Sequence, residues 1–130
     1  MSAERPRIVI ADDDDDIRAL MVIAASRAGV EVAAAVDNGR AALDAVFAGD
    51  IDLIVLDISM PELNGIDVAQ AMRADERGAA TRILMVSASV QLLTDHGMVA
   101  DLSDGFVIKP FSPKVLTARI REMLEQEVIA

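Results

Sequence analysis

The chain has 130 residues, 53% of them hydrophobic, with 12 basic and 22 acidic side chains, a formal net charge of −10 and no cysteine. That length makes one domain, able to bury roughly two-thirds of its unfolded surface without covalent staples. The missing cysteines exclude disulfides, thiol catalysis and thiolate metal sites, and the acidic balance argues against nucleic-acid backbone or anionic membrane surface as direct partners.

Met1-Ser2-Ala3-Glu4-Arg5-Pro6 carries no apolar signal region, and the longest apolar run, Ala19 to Ala25, is far short of a membrane span. A cytoplasmic protein is expected, a single domain over 1–130 with its core within about 6–126. Arg7 to Ala11 reads as a buried strand, and Ile17 to Ala28 as a helix with Ile17, Leu20, Met21 and Ala24 on one face, ended by Gly29. Val30 to Val36 is a weaker strand. Asn38-Gly39 opens a helix bearing Ala42, Leu43, Val46 and Phe47, which Gly49-Asp50 stops. Leu53-Ile54-Val55-Leu56 is the strongest strand signal, followed by loop chemistry through Gly65 and a helix over Ile66 to Arg73. Ile83 to Val86 is a fourth strand, Gln91 to Ala100 a short helix, and Phe106-Val107-Ile108 a fifth strand. Ser112-Pro113 then caps a last helix bearing Val115, Leu116, Ile120, Met123 and Leu124 and ending near Glu125.

Such alternation predicts a doubly wound α/β fold: five parallel strands with helices on both faces, a (βα)5 three-layer sandwich. Ligands of such sheets sit beyond the carboxyl ends of the strands. The chemically unusual residues fall there. Asp12 and Asp13 follow the first strand, Asp57 the third, Ser87 the fourth and Lys109-Pro110 the fifth. Nothing comparable follows the second, where Asp37-Asn38-Gly39 is an ordinary helix start. Crowded carboxylates need a hard divalent cation, and an all-oxygen site with room for water suits magnesium, with manganese as the alternative. Lys109 matches an incoming phosphoryl oxygen, Ser87 can donate to another, and Asp57 can attack phosphorus to give an aspartyl phosphate.

Taken singly, each residue has a plainer explanation. Acids before a helix usually serve its amino terminus, which is the reading for Asp15 and Asp16, while Asp14 is assigned as an outer acid of the metal site. Asp57 alone would be a loop acid and Lys109 a solvated lysine. Coincidence at separate strand ends decides otherwise, in a chain with only two lysines.

The motifs Ile8-Val9-Ile10-Ala11-Asp12-Asp13-Asp14, Leu53 to Pro61 with Asn64-Gly65, Val86-Ser87-Ala88 and Gly105 to Phe111 resemble, in order and spacing, receiver domains of two-component response regulators, the chemotaxis type among them. The resemblance covers essentially the whole chain. It implies the flavodoxin-like strand order 2-1-3-4-5 and a bacterial phosphorelay in which Asp57 accepts a phosphoryl group from a sensor histidine kinase or a histidine phosphotransfer protein. It further implies that Asp12, Asp13, Asp57 and the Ser59 backbone carbonyl hold magnesium, that Lys109 contacts the phosphoryl group, and that Lys109-Pro110 is cis. Ser87 and Phe106 fall at the switch positions. Phenylalanine at 106 has no hydroxyl, so a switch there is steric. Ser59 and Ser89 fall where similar receivers flank the path of the attacking water, and both are small, so little obstruction to hydrolysis is expected.

The output implied is a protein contact through the face formed by the fourth helix, fifth strand and fifth helix, near His96, Met98 and Asp101, with His96 read as a surface residue. No enzyme activity is expected beyond the domain's own phosphotransfer and autodephosphorylation. Since the receiver uses all 130 residues, a stand-alone regulator is expected, with a fragment of a multidomain regulator as the alternative. Among the family's acid and base dimer positions only Asp101 and Arg119 keep both charges of a pair, and Asp95, Gly105, Val115 and Gln126 do not supply the others. A monomer is expected, with dimerisation on phosphorylation the alternative. A calcium loop starting at Asp12 fails at Ile17 and Ile23, which replace the required glycine and glutamate. A small aspartate-nucleophile phosphatase would place an aspartate two residues past Asp57, where Ser59 stands.

Overall fold

The computed structural model describes residues 5–88 and 102–129. Its elements are β1 (Arg7–Ala11), α1 (Asp15–Arg27), β2 (Glu31–Val36), α2 (Gly39–Phe47), β3 (Leu53–Asp57), α3 (Gly65–Arg73), β4 (Arg82–Ser87), β5 (Gly105–Ile108) and α4 (Pro113–Ile129). The helix expected over Gln91–Ala100, with His96, Met98 and Asp101, lies outside the described residues, as does Ser89. The expected fifth helix is therefore α4 here.

The strands form one parallel sheet in the order β2-β1-β3-β4-β5, as expected. Strand period two divides the core into two layers. Val9, Ile54, Leu56, Ile83 and Met85 meet Leu43 and Val46 of α2 and Val68 and Met72 of α3 on one face. Ile8, Ile10, Leu53, Val55, Leu84 and Val86 meet Met21 and Ala24 of α1 and Leu116, Ile120 and Met123 of α4 on the other. β3 lies at the centre and every residue of it is buried, which accounts for its continuous apolar run.

Local chemistry sets the helix starts. α1 begins two residues before the expected Ile17 because the Asp14 carboxylate accepts from the Asp16 and Ile17 backbone N–H groups and caps the helix. Asn38 caps α2 through the Ala41 N–H, and Asn64 with Asp67 forms a reciprocal capping box at α3. Ser112 Oγ accepts from the Val115 N–H at 3.2 Å at the start of α4. α1 ends before Gly29, whose φ of 81° only glycine adopts readily. One helix-face expectation is corrected. Leu20 (41% exposed) faces outward, because the buried arc of α1 centres on Met21, Ala24 and Ala25, and in α4 the buried residues are Leu116, Ile120 and Met123 while Val115 is exposed. α4 also runs past Glu125, to Ile129.

Candidate functional site

Four of the five strands deliver a chemically active residue to one edge of the sheet. Asp12 directly follows β1, and its backbone N–H still donates to the Val36 carbonyl at 3.1 Å, so strand pairing carries the chain into the site. Asp57 is the last residue of β3, and the next N–H, of Ile58, donates to the Val86 carbonyl at 3.0 Å. Ser87 ends β4, where its carbonyl accepts from the Lys109 N–H at 2.8 Å, and Lys109 follows β5 through a cis bond to Pro110, as expected.

The loop after β1 is a chain of short turns. Asp12 Oδ1 accepts from the Asp14 N–H at 2.9 Å, and Asp14 Oδ1 accepts from the Asp16 N–H at 2.9 Å. Asp14 therefore serves the helix, which corrects its assignment as an outer acid of the metal site: both contacts of its Oδ1 are to backbone donors of α1. Asp15 and Asp16 occupy the first turn of α1, as expected. Arg18, which the sequence reading passed over, donates to the Asp12 carbonyl at 3.0 Å and to Asp15 Oδ1 at 2.6 Å. It supplies the positive charge that a five-aspartate run requires, at the (i, i+3) spacing visible in the sequence.

Asp12 is fully buried, Asp57 is 4% exposed, and Asp13 lies open to solvent. Carboxylate oxygens of these three residues lie within 4.8 Å of one another. Lys109 Nζ stands 2.8 Å from Asp12 Oδ2 and 3.5 Å from Asp57 Oδ1. Asp12 Oδ2 makes no well-aligned hydrogen bond among the described residues, so the lysine contact is an ion pair and the oxygen keeps capacity for a further cation. Three carboxylates and one ammonium leave a net deficit of two positive charges, and every donor is a hard oxygen. The residues fit a divalent metal.

Burial, reinforced by the Asp12 carboxylate, pushes the Asp57 carboxyl up to about 6 against the pull of Lys109. Burial also works against the Lys109 ammonium, but the contacts with Asp12 and Asp57 outweigh it and hold its pKa above the ordinary lysine value.

Gly65 fixes the loop beyond Asp57. Its N–H donates to the Ile58 carbonyl at 2.7 Å, and a Cβ there would fall 2.6 Å from the Asp57 carbonyl oxygen. No alanine fits without moving the backbone that carries Asp57. The signal for this was present as Asn64-Gly65, but the reason for the glycine depends on the fold.

Ser59 is exposed two residues past Asp57. Phe106 lies away from this cluster, its ring on the outside of the sheet edge and 51% exposed. With Pro110, Phe111 and Val115 it lines a cleft of about 470 Å³ between β5 and α4. Among the described residues, no helix is long and apolar enough to cross a membrane.

Comparison with known proteins agrees with this arrangement. The family model described as the response regulator receiver domain matches residues 8–121. The DNA-binding response regulator MtrA of Mycolicibacterium smegmatis is 34% identical over 126 residues, which cover 97% of this chain and 54% of that protein. The chain thus spans about half the length of the curated relatives it matches. The signal receiver domain of NarL from Mycobacterium tuberculosis superposes with a TM-score of 0.84 at 30% identity, covering 94% of this chain and 98% of that one. The response regulator TrrA of Thermotoga maritima, solved in complex with Mg(2+)-BeF, gives a TM-score of 0.79 at 29% identity, covering 91% and 98%. A match over most of the chain, with the expected strand order and the acidic cluster in place, identifies this chain as a member of the response regulator receiver domain family of two-component signalling.

Proposed function

We propose that Asp57 is the phosphoacceptor in a magnesium-dependent transfer from the phosphohistidine of a sensor histidine kinase or histidine phosphotransfer protein. The observation that carries this reading is the convergence of Asp12, Asp13, Asp57 and Lys109 from separate strand ends around a two-charge deficit. An oxygen of the Asp57 carboxylate attacks phosphorus, the phosphorus–nitrogen bond breaks, and the departing imidazole takes up a proton. Magnesium held by the three carboxylates and the Ser59 carbonyl supplies positive charge to the transferring phosphoryl oxygens, and TrrA, crystallised with Mg(2+)-BeF, supports that choice of metal. Lys109 leaves its ion pair with Asp12 to meet the phosphoryl group, and Ser87 donates to another of its oxygens.

Domain output follows from Ser87 and Phe106. Movement of Ser87 toward the phosphoryl group opens space that the outward Phe106 ring turns to fill, reshaping the cleft beside β5 and α4 for a downstream protein. The small serine side chains at positions 59 and 89 offer little obstruction to hydrolysis of the aspartyl phosphate. Autodephosphorylation is then the only hydrolysis this domain performs. The domain acts in the cytoplasm as a monomer; size-exclusion with and without a phosphoryl mimic tests the oligomeric state.

A second reading of the output is favoured by the relatives, which are DNA-binding regulators about twice as long. They give no support to a stand-alone regulator. In that reading these residues are the receiver of a longer regulator, and any DNA contact belongs to another part of it. The length of the chain its gene encodes separates the two.

The central test is mass spectrometry after incubation with a small-molecule phosphodonor. A magnesium-dependent mass gain that Asp57→Asn abolishes is expected; a gain that survives the substitution overturns the assignment.

A further inference from the structure

Half of the twelve arginines and lysines of this acidic chain are engaged in ion pairs among the described residues. Arg7, Arg18, Arg73, Arg77, Lys109 and Arg119 all sit in ion pairs. Arg27, Lys114 and Arg121 do not, among the described residues, and these three line a single cleft of about 380 Å³ along the seam between α1 and α4. Thr117 and Ala118 complete its wall, and no acid does. Concentrating three uncompensated cations in one groove of a chain with net charge −10 needs a cause.

Helix electrostatics supply only part of it. Arg27 lies in the last turn of α1, and an Arg121 Nη donates to the Arg27 carbonyl at 2.8 Å, both favourable at a helix carboxyl end. Lys114 is the opposite case. It is the second residue of α4, where the helix dipole disfavours a cation, and that first turn holds no acid. The groove is also rigid: Thr117 Oγ1 donates to the Ala24 carbonyl at 2.8 Å, fastening the two helices, and the Arg121 contact fastens them again one turn on.

We propose that this seam is a binding site for a compact polyanion carrying phosphoryl groups, either inorganic pyrophosphate or the diphosphate of a nucleotide. The volume falls within the range of small-ligand sites. Arg121, already oriented by its carbonyl contact, presents its remaining N–H groups, and Lys114 acts as a point charge on the other side. Access is independent of the carboxylate cluster, which without metal repels anions.

The test is titration of the metal-free protein with pyrophosphate and, separately, with ADP, at low ionic strength, followed by backbone amide shifts. Saturable shifts at Arg27, Thr117 and Ala118, with little change near Asp57 and Ser87, are expected. Lys114→Gln and Arg27→Gln, both exposed, should each weaken binding about threefold. Arg40→Gln, which removes an exposed arginine on α2, should leave it unchanged. Equal affinity for the two probes places recognition in the phosphoryl groups alone, and tighter ADP adds contacts to the nucleoside; both support the site. No saturable shift in the seam, shifts centred on the carboxylate cluster, or an equal loss in Arg40→Gln would overturn it. Unchanged thermal midpoints confirm that the variants are folded.

Discussion

Lys109 lies closer to Asp12 than to Asp57: its ammonium is 2.8 Å from Asp12 Oδ2 and 3.5 Å from Asp57 Oδ1. One cation holds together two carboxylates that are almost fully removed from water. Replacing it by Lys109→Gln leaves both without a counter-charge, at a cost of roughly 3 kcal/mol in metal-free protein. Urea denaturation in EDTA measures this, and millimolar magnesium should restore much of the loss. Equal stability of variant and wild type in EDTA would show that the ion pair contributes nothing.

The raised pKa of Asp57 gives a pH dependence of unusual sign. Because folding lifts this carboxyl from 3.8 to about 6, the folded state holds the proton more tightly than the unfolded one. Its contribution to stability is fully present below about pH 4 and is lost as pH rises through about 6, reaching roughly 3 kcal/mol at neutral pH. Asp57→Asn carries no such proton. In EDTA the difference in stability between Asp57→Asn and wild type should widen in favour of the variant from pH 4 to pH 7. A difference that stays constant with pH would place the Asp57 pKa near its ordinary value.

Gly65→Ala introduces a Cβ 2.6 Å from the Asp57 carbonyl oxygen and 2.8 Å from Ile58 Cα. Both neighbours are backbone and cannot swing aside, so the loop must shift, at a cost of about 1–3 kcal/mol. The shift moves the phosphoacceptor, and the rate of phosphorylation by a small-molecule donor should fall even at temperatures where the variant is fully folded. Wild-type rate and stability together would show that the loop yields freely.

Asp13 and Asp14 are adjacent, with opposite roles. Asp14→Ala removes the α1 cap and should lower stability by about 1 kcal/mol while leaving magnesium affinity nearly unchanged. Asp13→Ala removes an exposed oxygen donor of the cluster and should reduce magnesium affinity at least about tenfold with little effect on metal-free stability. Calorimetric titration and urea denaturation on both variants separate the two effects. The reverse pattern would return Asp14 to the metal site.

Much of the site was legible because parallel α/β chains announce their strand ends. Asp12, Asp57, Ser87 and Lys109 each terminate an apolar run, and the structure brings these ends to one edge. Arg18 and the capping role of Asp14 were also within reach, through the (i, i+3) pair with Asp15 and the position of Asp14 just before the helix. Leu20 was misplaced because a 3.6-residue period defines a face only to within one neighbouring position, and packing against the sheet selects the arc.

By itself, then, the sequence determined the alternation of elements, the parallel sheet they imply, and which residues stand at its carboxyl edge, since these depend on local period and order along the chain. Only the tertiary structure decided that Lys109 pairs first with Asp12, that Gly65 must lack a side chain beside Asp57, and that three cations share the seam between α1 and α4. Those are distances between residues far apart in sequence, and they are fixed by strand register and helix packing.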